Sequence, residues 1–249
     1  MYYAAIHHLA DQYGTSPAAT QAWFLTGQWH QGQGEEYNNS RDSTQRFEKQ
    51  KAVAIYEKVV KENPETEGGM NAFNALIGLR QKTFQLTTEK VNIPDLPFRV
   101  LVDYTNISQL SFKLVKVTEK IKAELTNGQR EKVLGMVKSA TSIRNWQQNL
   151  PDPKDLQSHT AEIKVDALPV GEYVLLASSH ENFSDSKASL GYTILSISNV
   201  SYINRGGDYF VLDRNTGQPL AGATVQIWNQ VYNAQQYRND FKKGELYTT

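Results

Sequence analysis

The sequence predicts an α+β multidomain protein in which N-terminal helical hairpins are followed by an antiparallel, immunoglobulin-like β-sandwich and the start of a second β-sandwich. Apolar residues recur at helical spacing over the first 90 residues, and short β-branched and aromatic runs follow. A strand–turn–strand pattern, Tyr209 to Trp228, lies near the end. We therefore expect a helical region at 1–90, a β domain at 91–198 and an incomplete β domain at 199–249.

The composition indicates a folded protein without a strong overall field. Of the 249 residues, 39% are hydrophobic and 21% are charged, and 26 basic residues balance 26 acidic ones. A balanced charge does not favour nucleic acid or an anionic lipid surface, so we expect no nucleic-acid partner. The absence of cysteine excludes disulfides, thiolate metal sites and cysteine nucleophiles within these residues.

Neither a membrane span nor a signal peptide is predicted in this segment. No run of about 18 apolar residues occurs. The first residues, from Met1 to His8, lack a basic region followed by an apolar core. The chain opens in a helical pattern and closes in a strand pattern, so we expect a fragment of a longer protein.

The helical region begins with two short amphipathic patterns. The first ends at Gly14 and carries its apolar residues at helical spacing: Ile6, Leu9, Ala10 and Tyr13. The second is predicted to begin with Ser16 as N-cap and Pro17 in the first helical position, continuing along one face through Ala18, Ala22, Leu25 and Trp29. The polar stretch Gln31–Ser43 is predicted to be a loop.

A helical hairpin follows. Its first helix has a continuous apolar stripe and ends at Asn63-Pro64; the stripe is Ala52, Ile55, Tyr56, Val59 and Val60. Gly68-Gly69 precedes a second stripe, Ala72, Ala75, Leu76 and Leu79. The spacing of Ala52, Tyr56 and Pro64 resembles the second helix of a tetratricopeptide repeat. The expected residues of the preceding helix are missing and nothing recurs about 34 residues later, so a generic αα-hairpin is favoured.

The spacing of apolar residues changes from helical to strand-like near residue 90. Pro94 and Pro97 prevent a helix there. Phe98–Tyr104 and Leu110–Val117 are predicted to be strands paired as a hairpin. A charged stretch, near 119–148, is predicted to be a helical insertion broken at Asn127-Gly128. A helical crossover on the sandwich rim is the favoured interpretation, and a partner-binding arm is the alternative.

Three further strands are predicted after this insertion: Thr160–Val165, Val174–Ser178 and Leu190–Ile197. Three consecutive apolar residues, Val174 to Leu176, indicate a strand buried on both faces, and Leu168–Tyr173 is predicted to be the turn that leads into it. Short strands separated by turns favour an antiparallel sandwich.

The stretch from Tyr209 to Trp228 is predicted to form a hairpin around a tight turn. Asp213 and Asn215 can bond their own backbone, and Gly217 can take a positive φ. The same residues loosely resemble a calcium loop, but they lack the distal Glu and include Arg214, so the turn is favoured. Lys243–Thr249 is expected to pair back toward this stretch.

Three motifs occurring in this order resemble the N-terminal macroglobulin-like domains of bacterial alpha-2-macroglobulin family proteins. They are Pro97-Phe98-Arg99-Val100 with Tyr104-Thr105-Asn106 and Phe112-Lys113-Leu114; Leu168-Pro169-Val170-Gly171-Glu172-Tyr173; and Val211-Leu212-Asp213-Arg214 with Thr216-Gly217-Gln218-Pro219-Leu220-Ala221-Gly222-Ala223-Thr224-Val225. The resemblance covers about residues 91–249 and implies macroglobulin-like β-sandwiches at 91–198 and 199–249.

The resemblance implies a function for the larger protein. Family members are cell-envelope endopeptidase inhibitors, periplasmic or anchored to the outer membrane, that trap proteases after cleavage of a bait region. Some carry a Cys-Gly-Glu-Gln thioester, which is absent here. This segment is then a non-catalytic scaffold whose partners are other domains of the same chain and, through the full-length protein, proteases. The alternatives are a surface adhesin or glycan-binding protein of immunoglobulin-like modules and, third, a peptide-binding helical repeat.

No catalytic, cofactor-binding or metal-binding residue is predicted. The histidines are interpreted as surface residues, because none shows ligand spacing: His7, His8, His30, His159 and His180. One aromatic group is expected to fill the helical core rather than form an exposed ligand platform: Tyr2, Tyr3, Trp23, Trp29 and Tyr37. A second is placed on a long loop that returns to a strand, and it would form a partner surface if exposed: Trp228, Tyr232, Tyr237, Phe241 and Tyr247.

Overall fold

The computed structural model describes residues 2–14, 16–38, 43–235 and 238–248. Over these residues the chain contains six α-helices and eleven strands, so the predicted α+β class is confirmed. The chain divides into two compact units. The first comprises Met1–Gln85, Asp103–Gln109 and Asn149–Ala161, and the second comprises Leu86–Val102, Leu110–Gln148 and Glu162–Thr249. The predicted domain ranges stay a prediction.

Helices dominate the first unit: α1 (Tyr2–Tyr13), α2 (Thr20–Glu35), α3 (Glu48–Glu62) and α4 (Glu67–Arg80). The end of α1 at Gly14 is confirmed, since that glycine has a φ of 59°. The predicted N-cap Ser16 and first helical residue Pro17 are confirmed, but they begin a 3-10 helix, Pro17–Ala19, that directly precedes α2, and the Ser16 side chain makes no capping bond.

Helix α2 also extends to Glu35, through part of the predicted loop Gln31–Ser43. Packing overrides the polar composition here. Gly34 lies so close to α3 that an added Cβ would be 2.9 Å from the Lys49 backbone nitrogen. Residues 39–42 of the predicted loop lie outside the described residues.

The predicted αα-hairpin is confirmed as α3 and α4. Its core contains Ala52, Tyr56, Val59, Ala72 and Leu76. Gly68 and Gly69 lie within α4 rather than before it, and Thr66 caps that helix by accepting from the Gly69 N–H at 3.1 Å. A Cβ on Gly68 would be 2.4 Å from the Thr20 carbonyl carbon, so the glycine permits close packing against the start of α2.

Seven strands form two sheets: β1 (Thr83–Thr87), β2 (Phe98–Thr105), β3 (Gln109–Lys116), β4 (Arg144–Asn149), β5 (His159–Val165), β6 (Gly171–Ser178) and β7 (Leu190–Ile197). One sheet has the order β1-β2-β5 and the other β4-β3-β6-β7. Strand β6 pairs antiparallel with both β3 and β7, and Val174, Leu175 and Leu176 are fully buried. The predicted strand buried on both faces is therefore confirmed.

The predicted hairpin of the β2 and β3 segments is wrong in its pairing. Both strands exist, but they belong to different sheets. Strand β3 buries the consecutive residues Leu110, Ser111 and Phe112, so both of its faces are covered, as is typical of a central strand. Asn106, in the connection, has a φ of 58° and donates through Nδ2 to the carbonyls of Leu79 and Gln81.

The predicted insertion near 119–148 is helical only in its first part. Helices α5 (Glu119–Thr126) and α6 (Arg130–Ser139) flank the predicted break, where Gly128 has a φ of 67°. The remainder of the predicted helix is wrong, because it contains β4. Trp146 of this strand stacks on Phe112 with ring centroids 5.0 Å apart. The two helices pack their apolar residues against the four-stranded sheet in a shared core: Val115, Ile121, Val133, Leu134, Val137, Val174 and Leu176.

Four strands follow: β8 (Val200–Arg205), β9 (Asp208–Asp213), β10 (Thr224–Asn233) and β11 (Arg238–Thr248). The predicted hairpin from Tyr209 to Trp228 is wrong, since β9 pairs with β8 and β10 pairs with β11. The segment after the turn contacts β9 only briefly, where the Leu220 N–H donates to the Val211 carbonyl at 2.9 Å. Pairing then stops, because Pro219 has no N–H and Gly222 takes a φ of 73°.

The expected pairing of the C-terminal strand is confirmed for Lys243–Thr248, which pairs with β10. Thr249 and Tyr237 lie outside the described residues. The aromatic segment predicted as a long loop returning to a strand is a β-hairpin, so the returning strand is confirmed as β11 and the long loop is wrong. Among the described helices, none is long and apolar enough to cross a membrane.

Candidate interaction surface

In the first unit His30 and His159 have mostly covered side chains that contact buried or nearly buried carboxylates. His30, with 12% of its side chain exposed, contacts Glu48 Oε2 through Nδ1 at 2.5 Å and the Tyr3 hydroxyl through Nε2 at 3.3 Å. Burial raises the pKa of Glu48, but hydrogen bonds from Lys51 and His30 outweigh burial and hold it below its ordinary value. The interpretation of His30 as a surface residue is therefore wrong.

The second engaged histidine belongs to a network around Asp155. The Asp155 side chain is 1% exposed and contacts Arg46 Nε at 2.8 Å and His159 Nε2 at 2.7 Å. Its carboxylate also accepts the Gln157 N–H at 3.1 Å. Burial raises the pKa of Asp155, but hydrogen bonds from His159, Arg46 and the Gln157 backbone lower it below the ordinary value. The carboxylate is thus stabilised in its ionised form.

The Asp155 network fastens a loop to helices α2 and α3. Gln157 donates through Nε2 to the Gly34 carbonyl at 2.9 Å, and Lys49 donates to the Leu156 carbonyl at 3.3 Å. Lys154 and Leu156 both have positive φ, so these bonds hold an uncommon backbone conformation. Sequence reasoning missed this network, because Arg46 lies far from Asp155 in the chain and no local spacing links them.

In the turn that loosely resembles a calcium loop, the Asp213 carboxylate accepts hydrogen bonds from the turn itself. Asp213 Oδ1 accepts from the Asn215 N–H at 3.0 Å and from the Thr216 N–H at 2.8 Å. The Thr216 hydroxyl donates to the same oxygen at 3.0 Å. These bonds lower the pKa of Asp213, and the bond from the Thr216 backbone N–H has the largest effect. The geometry supports the turn over a cation site. In the described parts of the chain, no three His, Asp or Glu side chains are grouped to hold a metal.

The N-terminal aromatic residues pack largely within the helical unit. Tyr3 and Trp29 have ring centroids 4.2 Å apart, and Trp23 Nε1 donates to the Gly14 carbonyl at 2.9 Å. The Lys58 ammonium lies 4.3 Å from the Trp23 ring centroid. Tyr2 is the exception, since it is exposed. These contacts favour the core interpretation for Tyr3, Trp23 and Trp29.

The C-terminal hairpin carries what we call the aromatic face: Trp228, Tyr232, Phe241 and Lys243. Side chains alternate along a strand, so positions 228, 230 and 232 share one face. Trp228 pairs with Lys243 and Gln230 pairs with Phe241, which adds both partners to that face. Trp228, Tyr232 and Phe241 are 50%, 61% and 42% exposed. The Lys243 ammonium lies 5.8 Å from the Trp228 ring centroid.

The neighbouring ribbon of β8 and β9 also exposes apolar side chains. Ile203 pairs directly with Phe210, and both are exposed. The rings of Tyr209 and Tyr247 lie 5.9 Å apart, which connects this ribbon with β11. Exposed clusters of this kind mark interaction surfaces. The candidate functional site is therefore a contact surface on the two C-terminal ribbons.

Two solved structures are similar to this chain. The crystal structure of native alpha-2-macroglobulin from Escherichia coli spanning domains MG0-NIE-MG1 has a TM-score of 0.46 and 15% identity, over 68% of this chain and 54% of that chain. This chain is similar to bacterial alpha-2-macroglobulin domains. A second structure of that protein, spanning domains NIE-MG1, has a TM-score of 0.41 and 13% identity, over 68% of this chain and 83% of that chain.

The match therefore spans about half of the first of these structures, 54% of its chain. No protein-family model matches the sequence, and no curated protein matches it.

Proposed function

We propose that this chain is a non-catalytic scaffold segment of an alpha-2-macroglobulin-like endopeptidase inhibitor of the cell envelope. The observation that carries the proposal is the turn Leu168–Tyr173, one of the three motifs of the resemblance. The Leu168 carbonyl accepts the Asp95 N–H at 3.0 Å, and the Tyr173 hydroxyl donates to the Pro169 carbonyl at 2.9 Å. The turn leads into β6, whose burial suits the core strand of a sandwich.

The roles of the polar residues support a scaffold. Asp155, Glu48 and Asp213 each direct their carboxylates at groups within their own unit, where they fasten loops, helices and a turn. We also propose that residues 199–249 belong to a second β domain, because both C-terminal ribbons present exposed apolar faces suited to packing against further strands. The partners are then other domains of the same chain and, through the whole inhibitor, a protease.

A substrate-size assay on the complete protein tests this proposal. The protein is incubated with trypsin, and cleavage of casein is compared with cleavage of a small chromogenic peptide. A trapped protease excludes large substrates and admits small ones, so we expect casein cleavage to fall several-fold while peptide cleavage continues. The 249-residue chain alone should inhibit neither. Equal inhibition of both substrates, or of neither by the complete protein, contradicts the proposal.

A glycan-binding surface protein is the second candidate, and the aromatic face favours it because exposed rings stack on sugars. A glycan array probed with the chain and with Trp228→Ala tests it. Binding that disappears in the variant would support this function, whereas no binding by either protein would leave the scaffold as the better conclusion.

A further inference from the structure

The four-stranded sheet β4-β3-β6-β7 has one covered edge and one open edge. At the β7 edge, the Asn92 N–H donates to the Ser196 carbonyl at 2.8 Å, and the Asn92 carbonyl accepts the Ser198 N–H at 3.0 Å. At the other edge lies β4, and no strand among the described residues pairs with its outer side. Proline and lysine commonly protect the edges of sheets, but β4 contains neither. Its outer side is therefore available to a further strand.

Contacts between β3 and β4 define which residues face each other. The Leu150 N–H donates to the Ser108 carbonyl at 2.8 Å, and Trp146 stacks on Phe112. The four-residue step along β4 thus matches a four-residue step back along β3. An antiparallel pair alternates between residues that bond both backbone groups to the partner strand and residues that direct both groups away from it. Leu150 is of the first kind, and therefore so is Trp146.

Asn145 and Gln147 are then of the second kind. Their N–H and carbonyl groups point away from β3, toward the open edge. Both residues are exposed, and no group in the described parts of the chain is bonded to either N–H. The two residues present their backbone groups about 7 Å apart, which is the repeat of an extended strand. A strand can match this repeat, whereas a helix cannot.

A cleft of about 530 Å³ lies beside this edge. Asn145 and Gln147 line it, together with Glu181 and Phe183 from the segment after β6. Side chains alternate along a strand, so Trp146 lies on the opposite face of the sheet from its two neighbours. The side chains of an added strand would alternate in the same way, one set toward the cleft and the other beside Trp146.

The two faces favour different side chains. Glu181 is exposed and has no ion-pair partner among the described residues, so threonine or lysine is suited to the set that points toward the cleft. The Lys113 ammonium in the cleft already donates to the Lys138 carbonyl at 2.6 Å. An aromatic residue pairs favourably with a β-branched residue across two strands, so Trp146 favours valine or isoleucine in the other set.

We propose that the outer edge of β4 binds an extended peptide segment of a partner protein as a fifth strand of this sheet. The peptide exchanges backbone hydrogen bonds with Asn145 and Gln147. It directs threonine or lysine side chains toward the cleft and packs a β-branched side chain beside Trp146. The main-chain bonds supply affinity and the alternating side chains supply selectivity. This binding activity goes beyond the scaffold role and does not depend on it.

Hydrogen exchange followed by nuclear magnetic resonance tests the proposal directly. In the free chain, the Asn145 and Gln147 amides should exchange at least about tenfold faster than the Trp146 amide, because only the last bonds to β3. Saturation with the peptide acetyl-Lys-Thr-Val-Thr-Val-Thr-Lys-amide should slow both amides at least about tenfold. The control is the same peptide with an N-methyl group on every threonine and valine, which removes its donors. No effect at millimolar peptide, or an equal effect of both peptides, overturns the proposal.

Two substitutions at one position separate binding from folding. Gln147→Pro removes an N–H that makes no bond within the sheet, so the Tm should fall by less than about 5 °C. Peptide affinity should fall at least about tenfold. Gln147→Val keeps the N–H and should bind as the original chain does. Failure of Gln147→Pro to fold would mean that this N–H belongs to the sheet, and that result, or unchanged affinity, would overturn the proposal.

Sedimentation of the chain alone distinguishes a partner protein from a second copy. We expect no dimer that depends on β4 at micromolar concentrations. A dimer that disappears in Gln147→Pro would mean that the edge pairs with the same edge of another copy, and the proposal of a partner peptide would then be wrong.

Discussion

At the scale of single residues, the first unit depends on buried polar side chains whose partners are distant in the sequence. Asp155 joins Arg46 and His159 at 2.8 Å and 2.7 Å. Such a carboxylate stabilises the fold only while it is ionised, because protonation removes the charge that Arg46 faces. Its pKa in the folded protein lies below the ordinary value of 3.8. Acid should therefore weaken this unit.

We expect the free energy of unfolding to fall in acid. A depressed folded pKa gives stability that is present above the ordinary carboxyl pKa of 3.8 and is lost as the pH falls through the lower folded pKa. Glu48, whose pKa is also lowered, acts in the same direction. Circular dichroism melts from neutral pH to about pH 2.5 measure this dependence.

Asp155→Asn isolates the contribution of this carboxylate. The variant should lower the free energy of unfolding at neutral pH by about 2–4 kcal/mol, since it removes charge-assisted bonds from a buried site. It should also lose less stability in acid than the original protein. Asp11→Asn, at an exposed carboxylate paired with His7, is the control and should change stability by less than about 0.5 kcal/mol. An unchanged acid response in Asp155→Asn would contradict the assignment.

Two glycines of α2 offer a matched pair of substitutions. A Cβ on Gly27 would lie 2.5 Å from the ring of Tyr56, which is fully buried and cannot move aside. A Cβ on Gly32 would meet nothing within 4 Å. Gly27→Ala should therefore destabilise the protein by about 1–3 kcal/mol through overpacking. Gly32→Ala should stabilise it by up to about 1 kcal/mol through helix propensity, and urea unfolding measures both. Equal effects at the two positions would contradict this packing.

At the scale of elements, strand existence was easier to predict than strand pairing. The β2, β3, β6 and β7 segments are strands as predicted, because β-branched runs bounded by turn residues are a local signal. The pairing partners are not local. β2 and β3 lie in different sheets, and β9 pairs with β8 rather than β10. Each strand takes the neighbour that best covers its buried residues, which no short stretch of sequence reveals.

Strand β4 shows how packing decides the type of an element. Trp146 stacks on the fully buried Phe112, with an interplanar angle of 17°. Trp146→Ala should lower the free energy of unfolding by about 2 kcal/mol, from lost stacking and lost apolar contact. Trp146→Phe keeps a stacking ring and should cost less than about 1 kcal/mol. Chemical denaturation compares the two, and an equal loss would show that the stacked ring contributes little.

At the scale of the whole molecule, stability should be uneven. Strand β6 is buried and has a partner on each side, whereas β10 and β11 form a two-stranded ribbon with an exposed aromatic face. Two-stranded ribbons are only marginally stable alone. Hydrogen exchange should therefore be at least about 100-fold faster for β10 amides than for β6 amides, because exchange follows local opening. Similar protection in both strands would show that the ribbon is held more firmly than its contacts indicate.

The candidate surfaces differ in how visible they are from sequence. The aromatic residues of β10 and β11 were identified as a possible partner surface by residue type alone, although their hairpin was mistaken for a loop. The backbone bonds that join Asn92 to Ser196 and Ser198 have no local signal, because these residues are distant in the chain.

The sequence by itself determined the α+β class, the αα-hairpin of α3 and α4, and most strand positions, because periodicity, proline, glycine and β-branched runs act through local backbone preferences. Tertiary structure decided which strands pair and that residues 144–149 are a strand. It also decided that the Asp155 carboxylate has an ion-pair partner and that Asn92 Nδ2 has no hydrogen-bond partner among the described residues. These features depend on the burial of side chains against residues far away in the chain, and that burial outweighs local preference.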